Sequence, residues 1–333
     1  MRKRTSILIA IILAAALIFS ACATVHEPPI SITEFALDTV VTISLYKGGS
    51  KEVLQQCTQI IKDYEKVFSK TIQGSDVWNL NNAQGQAVEV SAEMLELMKT
   101  SLDISKLSQG AFDVTIGAVS SLWNFTSQES ILPEDDEIKA NLKKVDYNNV
   151  VIKDNTILLK NGAQIDLGSV AKGYISNKIC EFLRAENVKA AIVDLGGNIE
   201  VVGNKFGRPW NVGIQDPKRV RNVPMAAVKC EDLSVVTSGI YERNFVIDDK
   251  MYYHLLDPKT GYPVDNNLAS VTVIGKDSEI CDALSTVLFV LGEQKGKEFI
   301  ENYDNYQAIF IDKQENISYS SGIGDIISIE IFT

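Results

Sequence analysis

Gln164-Ile165-Asp166-Leu167-Gly168-Ser169-Val170-Ala171-Lys172-Gly173-Tyr174 is the stretch that decides the fold class. A β-prone segment ends near Gly168, and a helical stripe starts at once, with Val170, Tyr174, Ile175, Ile179, Phe182 and Leu183 recurring on one face. In a dinucleotide-binding fold such a junction carries G-x-G-x-x-G, and in a P-loop protein G-x-x-x-x-G-K-[ST]. This junction has neither. The flanking segments also lack the sustained strand–helix–strand alternation that builds a parallel sheet. The pattern predicts an α+β fold, mostly antiparallel sheets with packed helices, and not a Rossmann fold. The junction still presents free backbone N–H groups at the positive end of a helix dipole, with Lys172 as an added charge, so it is a candidate phosphate site. Helix starts beside a lysine are also common where nothing binds.

Working outward, Glu34–Tyr46 is rich in β-branched residues and reads as one strand. Ser50 then caps a helix whose apolar positions run from Val53 to Phe68. Residues 69–82 are polar and turn-rich. A second helix spans Ala92–Leu107 behind Ser91, followed by a glycine-bounded loop, Gly110-Ala111-Phe112-Asp113-Val114-Thr115-Ile116-Gly117. Residues 127–144 are charged and predict an exposed excursion, and residues 145–160 a hairpin turning at Lys153-Asp154-Asn155. Downstream, short strands are expected on both sides of Gly196-Gly197-Asn198 and at 210–215, 225–230, 233–237, 243–248, 251–256, 269–274, 307–311 and 317–320. Helices are expected over Ser278–Leu291 and near 295–303.

The first residues read as an export signal. Arg2, Lys3 and Arg4 precede an apolar run from Ile7 to Phe19, and Ser20-Ala21-Cys22 follows. Cysteine directly after Ser-Ala resembles a bacterial lipobox. The expected organisation is a signal over residues 1–21, a tether over 22–32 beginning at a lipid-modified Cys22, and one domain over 33–333. That domain would be held on the extracytoplasmic face of a bacterial cell membrane. Loss of residues 1–21 removes three basic charges and leaves 29 basic against 43 acidic side chains. Such a balance argues against a nucleic-acid partner. A nucleotide ligand is compatible with it, because that needs only a local pocket and a cation. Cys57, Cys180, Cys230 and Cys281 form no C-x-x-C pair, and buried free thiols are expected.

Two further stretches carry chemistry. Only His26 and His254 are histidines, and His26 falls in the tether. His254 opens the turn Leu255-Leu256-Asp257-Pro258-Lys259-Thr260-Gly261, where a titratable ring suits proton transfer. It reads equally as a solvent-facing histidine at a strand end. In Ser278–Leu291, Asp282 and Thr286 lie four apart and share a helix face. Buried polar groups must find partners. These two either satisfy one another and the backbone, or supply oxygen ligands to a hard cation.

Taken together, Asp38-Thr39-Val40-Val41-Thr42-Ile43, Gly110–Asp113, Asp166–Tyr174, Gly196-Gly197-Asn198, Val212–Pro217, Thr237–Arg243, His254–Gly261 and Asp282–Thr286 occur in the order and spacing of one family. The chain resembles the ApbE family of FAD:protein FMN transferases from about Phe35 to Ile331. The resemblance implies transfer of the FMN half of FAD to a Thr or Ser hydroxyl of an acceptor protein, with release of AMP and use of Mg2+. It implies Asp282, Thr286 and a backbone oxygen near Ser169 as metal ligands. It further implies Leu37, Thr71, Ala111, Phe112, Asp113, Asp166, Lys172 and His254 as contacts to the flavin nucleotide. His254 is the expected general base, with Asp257 and Asp282 as rivals. An extracytoplasmic subunit of a flavin-dependent membrane electron-transfer complex would suit as acceptor. Leu37 stands where many members have methionine. Thr71 stands where transferases often have a tyrosine near the adenine, and some relatives altered there hydrolyse FAD to FMN and AMP. A metal-dependent FAD pyrophosphatase is therefore the alternative, and a lipid-anchored flavin carrier a further one.

Overall fold

The computed structural model describes residues 27–123, 125, 131–220, 223–324 and 327–332. The export signal, Cys22 and the first part of the tether lie outside the described residues, as does part of the 127–144 excursion.

An eight-stranded sheet forms the centre. Its strands are β1 (Ile30–Ala36), β2 (Thr39–Lys47), β3 (Ala190–Asp194), β4 (Asn198–Gly203), β5 (Ser234–Gly239), β6 (Leu268–Gly275), β7 (Gln307–Asp312) and β8 (Ile317–Tyr319). They lie side by side in chain order, and every neighbouring pair is antiparallel. The expected α+β class with antiparallel sheets is therefore what forms, without a Rossmann-type parallel sheet. Smaller sheets join Trp210–Gln215, Pro224–Cys230 and Ser328–Ile331, and also Val88–Glu89, Thr156–Leu159 and Val150–Lys153.

Alternation along the central strands sets the layers. Val193, Val202, Val236 and Val273 face helices, whereas Ile192, Val201, Val235 and Ile274 face the sheet containing Trp210–Gln215. The central sheet thus has apolar cover on both faces, and every residue of β6 is buried. Three helices matter for the site: α1 (Lys51–Phe68), α2 (Ala171–Ala185) and α3 (Ser278–Leu291). The Ser50 hydroxyl caps α1 by accepting from Val53 N, and the Asp277 carboxylate caps α3 by accepting from Glu279 N and Ile280 N.

Helices α2 and α3 meet at Gly173. A side chain there would put its first carbon 2.2 Å from the Ser278 carbonyl oxygen and 2.6 Å from Glu279 Cα. Only glycine permits that approach. It brings the Gly173 N–H within 3.0 Å of Asp282 Oδ2.

Several elements differ from expectation. The single strand over 34–46 is a hairpin, β1–β2, turning at Leu37-Asp38, whose φ angles are +55° and +56°. The turn-rich segment contains the helix Asp76–Asn82, and the excursion contains the helix Asp135–Leu142. That helix stays on the surface except for Ile138, which packs with Val119, Trp123 and Leu256. Gly117–Trp123 is an unexpected helix, and Ser328–Ile331 an unexpected strand. His254 lies just beyond the strand Lys250–Tyr253 rather than within it.

The four described cysteines are free and buried, as expected. Burial pushes the Cys57 and Cys230 thiols up to about 12 and those of Cys180 and Cys281 well above the ordinary range. Thiolate is the reactive form. None of the four should react with a thiol reagent at pH 8 until denaturant unfolds the chain. Absorbance titration with a disulfide reagent, with and without urea, checks this.

Candidate functional site

A cleft of about 940 Å³ opens where the β1–β2 hairpin, the Gly110–Gly117 loop, the Asp166–Lys172 junction, the His254 bend and α3 converge. Leu37, Thr71, Ala111, Phe112, Asp113, Asp166, Ser169, Lys172, His254, Asp282 and Thr286 all line it. Six separate stretches of sequence deliver these side chains to one place. Asp257 is the exception among the expected site residues. Its Oδ1 accepts from Lys259 N at 2.8 Å, and its carbonyl accepts from Thr260 N and Gly261 N. Asp257 therefore shapes the turn behind His254 and stands outside the cleft lining.

The His254 ring is held by a backbone contact. The backbone N–H of His254 donates to the Arg243 carbonyl at 3.1 Å, and the ring Nδ1 lies 3.3 Å from the same oxygen. A carbonyl oxygen only accepts, so Nδ1 carries the proton and Nε2 keeps its lone pair. Burial, then the nearby Arg243 guanidinium and Lys172 ammonium, push the His254 pKa down to about 3. The ring is neutral at neutral pH and oriented to accept a proton. The turn that carries it is pinned by Trp123, whose ring N–H donates to the Gly261 carbonyl at 2.9 Å.

On α3, the Asp282 carboxylate is buried, and Thr286 sits one turn further on, half-buried at the cleft. The Lys172 ammonium lies 3.3 and 3.4 Å from the two Asp282 oxygens and 3.1 Å from the Gly168 carbonyl. Carboxylate and carbonyl oxygens thus converge on one cationic point. The backbone oxygen there belongs to Gly168, next to the Ser169 that was expected. A set of hard oxygen donors around a positive centre fits Mg2+, which favours carboxylate, carbonyl and phosphate oxygens. Among the described residues no group of three or more His, Cys, Asp or Glu side chains converges as a metal cage. A metal held here would rely on Asp282, Thr286, backbone and ligand oxygens.

Asp166 and Asp113 divide into different tasks. Asp166 Oδ2 accepts from Lys70 Nζ at 2.7 Å and from Ser120 Oγ at 2.6 Å, and its Oδ1 accepts from Gly168 N. Burial alone would raise its pKa, but the Lys70 charge and these hydrogen bonds outweigh that and hold it well below the ordinary carboxylate range. Asp113 is spent on the loop itself. It accepts from Thr115 N, Thr115 Oγ1 and Tyr147 N, and burial raises its pKa. It therefore fixes the shape of the loop that presents Ala111 and Phe112. The glycine pair Gly196-Gly197 turns on Asp194 Oδ1, and Gly196 also admits Thr39, whose Oγ1 would stand 2.2 Å from any added Cβ.

The sequence reading missed Lys70, Ser120 and Glu65 as site residues, and did not single out Arg243 beyond its motif. All four line the cleft. Their partners are distant in sequence, so no local spacing signals them. Lys70→Met would strand the Asp166 carboxylate, and should lower stability by about 1–3 kcal/mol at pH 7. Because the folded pKa of Asp166 is depressed, its stabilisation is present above the ordinary carboxylate range and fades as pH falls through the folded value. The difference between wild type and Lys70→Met in urea should therefore narrow on acidification. A constant difference from pH 7 to pH 3 would contradict the ion pair.

The ApbE family model matches residues 37–310. The FAD:protein FMN transferase of Treponema pallidum (strain Nichols) is 33% identical over 321 residues, covering 90% of this chain and 89% of that protein. The FAD:protein FMN transferase of Klebsiella pneumoniae (strain 342) is 35% identical over 295 residues, covering 87% and 92%. Among solved structures, the ApbE protein of Thermotoga maritima superposes with a TM-score of 0.82 at 32% identity, covering 88% of this chain and 97% of that one. The apo flavinyl transferase ApbE of Pseudomonas stutzeri does so with a TM-score of 0.77 at 26% identity, covering 90% and 96%. With cleft, fold and sequence in agreement, this chain belongs to the ApbE family.

Proposed function

We propose that this enzyme is an FAD:protein FMN transferase that uses Mg2+ and modifies a Thr or Ser hydroxyl of an acceptor protein. The observation that carries the reading is His254: a neutral ring with its proton fixed on Nδ1, sharing one cleft with Lys172, Arg243, Asp282 and Thr286. In the reaction the acceptor oxygen attacks the phosphorus that bears riboflavin. An O–P bond forms there, and the bond from that phosphorus to the bridging oxygen breaks. AMP leaves with the bridging oxygen, and the hydroxyl proton passes to His254 Nε2. Lys172 and Arg243 supply positive charge to the diphosphate, and Ala111 and Phe112 supply an apolar wall. Asp282, Thr286 and the Gly168 carbonyl would hold Mg2+, which when bound neutralises charge on the phosphates.

Incubating the protein with FAD, Mg2+ and an extracytoplasmic FMN-binding protein tests the reading. Acceptor mass gain equal to FMN supports it, whereas free FMN and AMP without acceptor labelling would show a pyrophosphatase. That second reading has one observation in its favour. Thr71 is exposed at the cleft and hydrogen-bonds to Ser69, and it offers no aromatic ring there. For the metal, Asp282→Ala should weaken Mg2+ binding by more than the about 10–100-fold that changes to outer-shell partners produce. Calorimetric titration measures it, and unchanged affinity would remove Asp282 from the metal site.

Location belongs to the same proposal. The Arg2–Cys22 pattern supports a lipid anchor at Cys22, which would hold the domain on the extracytoplasmic face near membrane electron-transfer subunits. Palmitate labelling of the wild type and of Cys22→Ala checks that anchor.

A further inference from the structure

We propose that the tip of the β1–β2 hairpin is the seat of the acceptor protein, and that it takes an extended segment with apolar residues beside the hydroxyl to be modified. The inference rests on the transferase reading, because only an enzyme acting on a second chain must seat one at this mouth.

The hairpin's outer face shows an abrupt change of chemistry. Cross-strand partners on that face are Ser31 and Ser44, Thr33 and Thr42, then Phe35 and Val40. The first two pairs are hydroxyl pairs bonded to each other, at 2.8 and 3.1 Å. The third is apolar, and it is exposed: Phe35 by 75% and Val40 by 50%. It occupies the end of the hairpin that lines the cleft. Ile72, 40% exposed, adds an apolar side chain to the same mouth from the segment after α1. Opposite pairs in a ladder share a face, so the apolar step is a local feature of the tip and not a drift in composition. Exposed apolar groups gathered at one functional opening mark an interaction surface.

Two further features suit an extended partner. Strand β1 is the edge of the central sheet, and among the described residues no strand pairs with its outer side. Such an edge offers backbone N–H and C=O groups to an incoming strand. The tip is also held rigid. Leu37 N donates to Glu65 Oε1 at 2.7 Å, and Arg243 Nη2 donates to the Leu37 and Asp38 carbonyls at 3.1 and 3.3 Å. Arg243 is the residue whose carbonyl holds His254. The clamp therefore fixes the docking tip and the proton acceptor in one frame, so a segment seated on Phe35 and Val40 meets His254 at a set distance.

The test uses the protein loaded with FAD and Mg2+ and two short labelled peptides with one central threonine. One carries valine and leucine at alternate flanking positions, and the other serine and glutamate. Fluorescence anisotropy should show the apolar peptide binding about tenfold or more tightly, the effect of a well-placed apolar anchor. The double variant Phe35→Asp, Val40→Asp should lose that preference, Phe35→Leu should retain most of it, and FAD affinity should not move. Equal binding of both peptides, or a preference that survives the double variant, would overturn the proposal. So would a matching loss of FAD affinity, which would make the tip part of the flavin pocket. Loss of binding to phosphatidylglycerol vesicles with peptide binding unchanged would also overturn it, by assigning the tip to the membrane. Anisotropy reads docking without turnover. Absence of FMN transfer to any acceptor by the wild type therefore counts against the transferase reading, separately from these outcomes.

Discussion

His254→Ala should lower FMN transfer by about 10²–10⁴-fold, the usual contribution of a positioned general base, while FAD and Mg2+ still bind. The ring is anchored from behind by the Arg243 carbonyl, so its removal leaves the cleft walls intact. Stopped turnover with unchanged FAD titration is the expected pair of results. Normal turnover in the variant would remove His254 from the reaction. A second readout is independent of catalysis. The folded pKa of about 3 lies below the ordinary histidine value of 6.5, so the unfolded chain takes up this proton first. Stability associated with His254 is complete above the ordinary value and is lost as pH falls from there through about 3. The alanine variant should therefore lose less stability than wild type over that interval in urea melts. In kcat/KM for the wild type, the acid limb should fall below 6.5, since burial and two neighbouring cations disfavour the imidazolium.

The other large effect is structural. Gly173→Ala places a methyl group 2.2 Å from the Ser278 carbonyl oxygen, against backbone that has no rotamer with which to yield. Overpacking usually costs about 1–3 kcal/mol, and a backbone clash this close should cost about 3 kcal/mol or more. The strain should also reach the site, because relief requires α2 and α3 to separate. That would lengthen the 3.0 Å bond from Gly173 N to Asp282 Oδ2. A lower urea midpoint accompanied by weaker Mg2+ binding is expected. A stable protein with ordinary Mg2+ affinity would show that the helices re-pack freely.

Much of the architecture could be read from residue order. The periodic segments at 51–68, 92–107, 171–185 and 278–291 each fold as helices, with Ser50 and Ser91 as caps. Antiparallel sheets without Rossmann topology follow from the missing alternation and the missing phosphate loop. The β1–β2 turn was illegible for a physical reason. Leu37 and Asp38 adopt positive φ without glycine, and the groups that hold them there, Glu65 and Arg243, come from far along the chain. Lys70 was passed over for the same reason, since Asp166 is brought to it only by the fold. Asp257 was legible in another way: Asp-Pro-x-Thr-Gly implies a turn closed by the aspartate side chain, and Asp257 Oδ1 accepts from Lys259 N.

The order of the central sheet also dictates how the protein must assemble. Neighbours in the sheet follow one another along the chain, but Thr42 in β2 pairs with Asp194 in β3 across the whole α1-to-α2 region. A ribosome cannot deliver that pair together. The N-terminal hairpin emerges first and stays half-finished until the long intervening segment has been made, with Val41, Ile43 and Leu45 lacking their final cover. Contacts of such separation close late, because the entropy of a large loop is spent before they form. Destabilising changes in the 48–189 region should therefore slow folding and raise aggregation of the newly made chain more than equal changes in β5–β8, whose pairings, such as Ser234 with Gly275 and Leu268 with Asp312, close much shorter loops.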